Sequence, residues 1–324
     1  MFNVRTDLAI EAREIYQSEH KGEIDGVVVK EEVNNDIKVT RVKVTSENGS
    51  VKMGKPIGNY ITIEIPEFTH YDGEIMERVA ETLGENLEDL INIEKHKNAL
   101  VVGLGNWNVT PDSLGPKVAE KIMVTRHLKE IMPDKFDESV NSVCALAPGV
   151  LGTTGIETGE IIKSIVQNIK PSVVICIDAL ASRRLERVNR TIQISDTGIS
   201  PGAGVGNNRM EINEKNLGVP VVAIGVPTVV DAATIANDTI DLVLDEMINA
   251  SNKEGEFYKM LKNIDKREKS KLIKEVLNPF IGDLMVTPKE VDAVIDSVSK
   301  IIADGINISL QPNLDMDEIN KFMN

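Results

Sequence analysis

The run VVICID at residues 173–178 is a stretch of apolar side chains that ends on a carboxylate, Asp178. An earlier run, LVVGLGN at residues 100–106, has the same form and leads through a turn-rich segment to Asp112. Short β-branched runs bounded by turn residues predict buried strands of a parallel sheet. Ligands and reactions collect beyond the carboxyl ends of such strands. The two aspartates are therefore expected at one edge of one sheet, where they could meet.

Strand-like and helix-like segments alternate from residue 99 to about residue 250, which predicts an α/β fold with a mostly parallel central sheet flanked by helices. Before this region, alternating apolar residues between turn clusters, one of them at residues 47–49, predict a smaller antiparallel β-rich lobe at about residues 24–66. A helical C-terminal region is expected at about residues 253–324. Within it, Thr287-Pro288-Lys289-Glu290 has the pattern of a capping box, and the polar residues 311–324 are expected to fray.

The apolar periodicity also predicts where the individual elements lie. Strands are expected at residues 99–104, 142–147, 172–178, 190–195 and 219–226. Helices are expected at residues 8–20, 72–90, 114–132, 156–169 and 229–249, and much of the charged segment 253–275 is expected to be helical.

The 324 residues carry a formal charge of −15, and only 3% of them are aromatic. Both features oppose direct nucleic-acid binding, because phosphate contacts need cations and single strands need aromatic side chains for stacking. A basic protein remains possible as a substrate. The chain begins without an apolar signal segment and contains no run of membrane-spanning length, so we expect a cytoplasmic protein without a membrane partner.

Cysteine and histidine give no sign of a metal centre. Cys144 and Cys176 lie within apolar runs and are expected to be buried and reduced. The four histidines form neither His-Glu-x-x-His nor a pattern with Cys-x-x-Cys. We therefore expect no bound metal and no cofactor.

Three glycine-containing motifs have ordinary explanations. Gly103-Leu104-Gly105 follows a strand, but Asn108 replaces the third glycine of a dinucleotide fingerprint, so a turn that closely approaches another backbone is favoured. The segment Gly198–Asn208 lacks a Walker lysine; a mobile loop over a site and a plain surface connection fit it equally well. Asp196-Thr197-Gly198 copies a tripeptide of pepsin-like proteases, but it occurs once and within a βα pattern, so we interpret it as a chance match.

The two strand-end aspartates are not equivalent on pattern alone. Asp112 would sit favourably in a first helical turn with Thr110 as N-cap, and the pattern slightly favours that structural explanation. Asp178 ends a run of five apolar residues, so it is expected to be partly desolvated, which raises the pKa of a carboxyl group. A second carboxylate nearby would raise that pKa further. Arg183 or Arg184 could instead hold Asp178 in a structural ion pair.

Motifs along nearly the whole chain resemble those of the germination protease of spore-forming bacteria. They are VRTDLA at 4–9, VVGLGN at 101–106, VTPD at 109–112, LGTTGIET at 151–158, IDALA at 177–181, ERVN at 186–189, TIQISD at 191–196, PGAGVGN at 201–207, GVPTVVD at 225–231 and LMVTPKEVD at 284–292. The chain departs from the family in having a very short segment before Val4 and an abbreviated region after the helix at 229–249.

The resemblance implies an endopeptidase that degrades small acid-soluble spore proteins when a spore germinates. It also implies a zymogen that removes its own N-terminal segment, a homotetrameric assembly and a location in the developing spore and spore core. The family cuts after an acidic and before an apolar residue, in a Glu-(apolar)-(small)-x-Glu context. Residues 6–11, TDLAIE, fit that context, so the implied propeptide is 1–7, the implied cut lies between Asp7 and Leu8, and residues 8–324 form a single catalytic domain.

The family's two essential aspartates fall on Asp112 and Asp178. Two carboxyl groups a few ångströms apart cannot both ionise, so one proton is shared. The ionised aspartate then takes a proton from water, and the protonated one polarises the scissile carbonyl and helps to protonate the leaving amine.

A cleft that favours an acidic residue before the cut needs a cation, and four residues are candidates for that role. They are Arg183, Arg184, Arg187 and Lys117. Two other functions remain open: a metal-dependent peptidase of the hydrogenase-maturation type, and an acidic protein that binds basic spore proteins without cutting them.

Overall fold

The computed structural model describes a mixed α/β protein built on one continuous sheet. It covers residues 6–20, 22–66, 72–91, 98–132, 140–202, 209–251, 255–263, 268–269, 271–273, 275–276 and 284–323. Helices and strands are numbered here in chain order. None of the helices in these ranges is both long enough and apolar enough to span a bilayer.

The sheet has nine strands within the described residues. They are β1 (Val27–Asn34), β2 (Ile37–Val44), β3 (Gly58–Glu64), β4 (Asn98–Gly103), β5 (Ser142–Leu146), β6 (Val173–Ser182), β7 (Thr191–Ser195), β8 (Val221–Asp231) and β9 (Met285–Val286). Their order is β1-β2-β3-β7-β8-β6-β4-β5, with β9 on β8. The pairs β4–β5, β4–β6 and β6–β8 are parallel and the others antiparallel. The predicted fold class is confirmed.

The helices flank this sheet. They are α1 (Ala9–Glu19), α2 (Glu47–Met53), α3 (Gly73–Ile91), α4 (Leu114–Glu120), α5 (Arg126–Ile131), α6 (Leu151–Thr154), α7 (Thr158–Ile169), α8 (Glu214–Leu217), α9 (Ala232–Ala250), α10 (Glu256–Lys262), α11 (Val291–Leu310) and α12 (Met316–Met323). The predicted strands and most predicted helices are found within a few residues of their expected ends. In the charged segment 253–275, α10 is helical as predicted, whereas residues 253–254, 264–267, 270 and 274 lie outside the described residues.

Two predicted elements of the N-terminal half differ from the structure. The helix expected at 114–132 is interrupted, because Thr125 is tied to the neighbourhood of β5: its amide donates to the Val143 carbonyl at 2.9 Å and its hydroxyl donates to the Asn141 carbonyl at 2.5 Å. The turn cluster expected at residues 47–49 is the first turn of α2. Ser46 caps that helix, because its side chain accepts a hydrogen bond from the Gly49 amide.

Two predictions at the C-terminal end are wrong. The capping box fails because the Thr287 hydroxyl donates to the Thr228 carbonyl at 2.9 Å, so α11 begins only at Val291 and without a side-chain cap. The expected fraying after residue 311 is not seen in the described part. Gln311 is buried and bonds to the Asn141 amide and carbonyl, and α12 follows.

Both faces of the central strands are buried. One face packs on α3, α4 and α11 through side chains such as Val101 and Ile175, and the other packs on α7 and α8 through residues such as Val102 and Cys176. Strands that are covered on both faces consist of continuous apolar residues, and the sequences of β4 and β6 have this form. Cys176 is buried, as predicted, whereas Cys144 is only half-buried; both are free thiols.

The sheet's central strands end at different heights, and this difference opens the edge used by the site. Strand β4 pairs with β6 from Ala99 opposite Val173 to Gly103 opposite Ile177, and it stops there. Strand β6 continues to Ser182 alongside β8. Residues of β6 after Ile177 therefore have one edge that no neighbouring strand of the sheet covers.

The crossing of α3 and α11 supplies a stability prediction. A methyl group added at Gly305 would lie 2.8 Å from the Ala80 carbonyl oxygen, so Gly305→Ala must push the two helices apart. We expect it to lower the free energy of unfolding by roughly 1–3 kcal/mol in urea titrations. The matched control is Gly73→Ala, at the exposed first position of α3, where the added methyl meets open space. Equal stability of the two variants would contradict the packing account.

Candidate functional site

The turn after β4 brings Asp112 back against the strand. Gly105 has φ +112°, and a Cβ there would lie only 2.0 Å from the Asp112 carbonyl oxygen. The Asn106 amide donates to that carbonyl at 3.0 Å. Gly103 likewise lies against the Gly115 backbone, where a Cβ would come within 2.0 Å of the carbonyl oxygen. The close-approach turn predicted for Gly103-Leu104-Gly105 is confirmed, and it fixes the position of Asp112.

Asp112 ends a short 3-10 turn, Thr110–Asp112, whose N-cap is Val109. Thr110 therefore does not cap the helix through its side chain, which differs from the structural explanation considered above. Burial raises the pKa of the half-buried Asp112 carboxyl to about 6, although the Asn106 amide acts in the opposite direction.

Asp178 lies on β6 just past the end of β4. The Leu104 amide donates to the Ile177 carbonyl at 2.8 Å, which joins the turn after β4 to this strand. Asp178 is only 6% exposed, and its Oδ1 accepts a hydrogen bond from the Ala179 amide at 3.0 Å. Burial raises its pKa well above the ordinary value, and the nearby carboxylates of Asp112 and Asp7 raise it further. The structure thus brings the two predicted aspartates together.

The chain's own residue Asp7 lies at the same edge. Its amide donates to the Ala181 carbonyl at 3.2 Å, and its Oδ2 accepts from the Ala181 amide at 2.9 Å. Burial raises the pKa of the Asp7 carboxyl, while the Ala181 amide and the Lys55 ammonium act to lower it. Residue 7 therefore runs alongside the end of β6, three residues beyond Asp178.

Two side chains donate to the backbone carbonyl of Asp7. Lys55 Nζ lies 2.7 Å and Gln193 Nε2 lies 3.2 Å from that oxygen. The other end of the Gln193 amide, Oε1, accepts from the Ala9 amide at 2.6 Å. The peptide bond between Asp7 and Leu8 is consequently held at its carbonyl end by two donors.

Glu11 is bound by the segment that follows β6. Its carboxylate, 1% exposed, accepts from the backbone amides of Arg183 at 2.7 Å and Arg184 at 2.9 Å. The Arg187 guanidinium lies 3.4 Å away, and the Thr6 hydroxyl also donates to this carboxylate. A buried carboxylate with this set of donors is held firmly in place.

The carboxyl pair, Asp7 and the two donors to the Asp7 carbonyl border one cavity of about 880 Å³. Its lining includes Asp7, Lys55, Asp112, Asp178 and Gln193. Gly198 and Gly202 of the glycine-rich segment line it too, whereas residues 203–208 lie outside the described part of the chain. The cavity therefore combines a pair of carboxyl groups with an ammonium and an amide donor.

The four predicted cations have other partners. The side chain of Lys117 lies 3.6 Å from Asp296, that of Arg183 2.9 Å from Asp238 and that of Arg184 3.2 Å from Glu14, while Arg187 contacts Glu11 and Glu14. The cation beside Asp7 is Lys55, which the sequence analysis missed. Its only signal was a lysine in the turn between Gly54 and Pro56.

Asp196 is engaged in structure. Its carboxylate accepts from the Asn59 backbone amide at 2.8 Å and from the Asn59 side chain at 2.5 Å, which joins β7 to the start of β3. Within the described ranges, no group of three His, Cys, Asp or Glu side chains is arranged to hold a metal ion.

Known proteins resemble this chain along its full length. Residues 6–261 and 245–323 match the family model described as germination protease. A germination protease of Clostridium perfringens is 67% identical over 325 residues, covering 100% of both chains. One from Bacillus velezensis is 43% identical over 352 residues, covering 98% of this chain and 95% of the relative. The solved [NiFe] hydrogenase maturation protease HycI of Thermococcus kodakarensis aligns with a TM-score of 0.30 and 19% identity, covering 60% of this chain and 99% of its own.

The burial of Asp178 predicts a stability cost that depends on pH. Its folded-state pKa is raised, so as pH rises above the ordinary aspartate value the unfolded chain ionises first, and stability from this group falls. Asp178→Asn removes that cost. We expect the variant to be more stable than the wild type at pH 7, with the difference shrinking toward zero near pH 4, in urea titrations across this range.

The matched control is Asp245→Asn, at an exposed position on α9. It should change stability little at any pH. A difference for Asp178→Asn that stays constant from pH 4 to pH 7 would contradict the raised pKa.

Proposed function

Because the chain belongs to the germination protease family, we propose that it is an endopeptidase that starts the degradation of small acid-soluble spore proteins during germination. The observation that carries the proposal is the position of residues 6–11. They lie across the sheet edge that bears the Asp112 and Asp178 carboxyl groups, with the Asp7 carbonyl held by two donors. This is the placement expected of a peptide about to be cut.

We further propose that the protein is a zymogen that cuts its own chain between Asp7 and Leu8, with residues 1–7 as propeptide. Asp7 and Asp178 line the same cavity, which supports this site. Asp7 also pairs through its backbone with Ala181, next to the carboxyl pair. The domain assignment, with residues 8–324 as the catalytic unit, follows from the same cut.

The last three positions of the preferred sequence, the apolar residue, the small residue and the glutamate, each have a physical counterpart in this chain. Leu8 is 0% exposed and packs in a cluster with Leu180. Ala9 is also 0% exposed, in a cluster with Met53 and Tyr60. Glu11 meets the donors described above. We propose that spore-protein substrates are selected by the same contacts.

The two carboxyl groups have different environments, which supports different roles. Asp112 is the more exposed of the two, and burial raises its pKa to about 6, so we assign it the role of general base toward water. Asp178 is more deeply buried and keeps its proton, so it serves as the acid. Once Asp112 is ionised, its charge further opposes ionisation of Asp178, and the pair shares one proton.

The proposal also covers assembly and location. A homotetramer acting in the cytoplasm of the developing spore and in the spore core is what family membership favours. Spore proteins are its substrates, and neither nucleic acid nor membrane is a direct partner.

Self-processing supplies the first test of this function. Intact-mass spectrometry of the purified chain during incubation at mildly acidic pH should show loss of residues 1–7 from the wild type. Asp112→Asn and Asp178→Asn should slow that loss by at least about 100-fold, because general acid and base catalysis each contribute that much. The matched control is Asp196→Asn, which should process like the wild type. If Asp112→Asn and Asp178→Asn lose residues 1–7 as fast as the wild type, Asp112 and Asp178 are not the catalytic carboxyl groups.

Recognition of Glu11 supplies a second test. Glu11→Gln keeps the shape of the side chain but removes the charge that accepts from three groups, so self-processing should slow about tenfold, and the free energy of unfolding should fall by roughly 1–3 kcal/mol. Glu14→Gln is the control, because Glu14 shares the Arg187 contact but accepts neither backbone amide. If both variants process equally fast, recognition at residue 11 is excluded.

A further inference from the structure

We propose that Lys55 and Gln193 form an oxyanion site, in which the ammonium Nζ and the amide Nε2 stabilise the negative charge that develops on the carbonyl oxygen of the bond being cut. The inference rests on the proposed cut between Asp7 and Leu8. It adds two catalytic residues to the pair of aspartates, and it separates the task of polarising the carbonyl from the task of transferring protons.

The geometry at the Asp7 carbonyl oxygen carries the proposal. Lys55 Nζ is 2.7 Å and Gln193 Nε2 is 3.2 Å from the oxygen, so two donors from different elements converge on one acceptor. Donors at about this distance stabilise a tetrahedral oxyanion when they are fixed in place before the reaction.

Both donors are held by their surroundings. Gln193 lies on β7 with 8% exposure, and its Oε1 is occupied by the Ala9 amide, so the amide group cannot rotate without losing a hydrogen bond. Lys55 follows the left-handed C-cap Gly54, and its backbone amide donates to the Ser50 carbonyl at 3.3 Å. The next residue, Pro56, is tied by the Tyr60 hydroxyl at 2.9 Å. The loop therefore presents the ammonium to the cavity.

The electrostatic surroundings strengthen the interaction. Burial lowers the pKa of the Lys55 ammonium, and the negative charges of Asp7 and Glu11 oppose that effect. A cation that has lost much of its water interacts more strongly with a charge forming next to it than a solvated cation does. The ammonium is therefore placed where a developing oxyanion gains most from it.

The reaction then divides among four side chains. Water adds to the Asp7 carbonyl carbon, its proton passes to the Asp112 carboxylate, and the carbonyl electron pair moves onto the oxygen that Lys55 and Gln193 hold. As the oxyanion collapses, the bond from carbon to the Leu8 nitrogen breaks, and the Asp178 carboxyl gives its proton to that nitrogen. The products are a carboxyl group on Asp7 and an amine on Leu8, and the proton on Asp112 returns the pair to its starting charge.

Lys55→Met and Gln193→Glu test the proposal through the rate of self-processing. Lys55→Met removes the ammonium and keeps the chain length, while Gln193→Glu removes the Nε2 donor and keeps an oxygen for the Ala9 amide. We expect each to slow processing by about 100- to 1,000-fold, the range for loss of one oxyanion donor. The control is Lys52→Met on α2, whose Nζ lies 6.0 Å from the Tyr16 ring centre, away from the Asp7 carbonyl. It should process like the wild type.

A second readout separates catalysis from a structural role. Ethylammonium added to Lys55→Ala should restore part of the processing rate in a concentration-dependent manner, because the free cation can occupy the vacated space beside the carbonyl. A lysine that only supports the fold would give no such rescue. Processing of both Lys55→Met and Gln193→Glu within threefold of the wild type, or absence of rescue in a folded Lys55→Ala, would overturn the proposal.

The variants of Lys55 and Gln193 could be unstable, so a third experiment leaves both residues in place and uses NMR. In the Asp178→Asn chain, which stays uncut, ¹³C-carbonyl aspartate and ¹⁵N-leucine labelling gives NMR signals only from the four Asp-Leu pairs, at residues 7–8, 89–90, 241–242 and 283–284. We expect the Asp7 carbonyl resonance to move as Lys55 loses its proton at high pH, while that of Asp89 stays. A resonance that does not move would overturn the proposal.

The outcomes also distinguish this inference from the proposed function. If the wild type never loses residues 1–7 and cuts no spore protein, the proposed function fails. If the wild type is processed and the two aspartate variants are not, while Lys55→Met and Gln193→Glu keep the wild-type rate, the proposed function stands and the oxyanion site alone is excluded.

Discussion

The burial of Asp178 beside Asp112 is the constraint on which the rest of the site depends. An aspartate that is 6% exposed in a central strand loses solvation, and a second carboxyl group next to it makes ionisation of both unfavourable. Asp178 lies at the point where β4 ends at Gly103, so no strand pairs with β6 on that side, and the carboxyl group borders the cavity. A pair that shares one proton supplies an acid and a base together, which is the requirement for adding water to a peptide bond.

The N-terminal segment is placed by the same edge. Asp7 pairs with Ala181 at the end of β6, and Glu11 is bound by the two amides that follow that strand. The backbone between them is fixed by Gln193, which accepts from one peptide unit and donates to another. Recognition at both ends and a fixed carbonyl between them would hold one peptide bond in register with the carboxyl pair. On the proposed function, that arrangement favours a single defined cut.

The parts of this account that a pattern could predict are those set by local chemistry. Apolar period and strand ends predicted the sheet, and they predicted that Asp112 and Asp178 would share an edge. The sequence analysis missed Lys55 because a lysine between glycine and proline indicates only a turn. Its partner, Asp7, is brought close by tertiary folding, which the pattern does not show. The capping box failed for a related reason, since the Thr287 hydroxyl bonds to a distant carbonyl on β8. The sequence pattern predicts the helices and strands. Polar contacts between residues distant in sequence depend on how those helices and strands pack, so the pattern does not predict them.

The central claim, that the two carboxyl groups share one proton, is tested most directly by ¹³C NMR of the aspartate carboxyl carbons between pH 4 and pH 9. Asp112→Asn and Asp178→Asn chains would assign the two resonances. The account predicts that Asp112 ionises near pH 6 while Asp178 remains protonated, and that Asp178 ionises at lower pH once residue 112 is asparagine. Ionisation of both groups below pH 5, or no change at Asp178 in the Asp112→Asn chain, would contradict it.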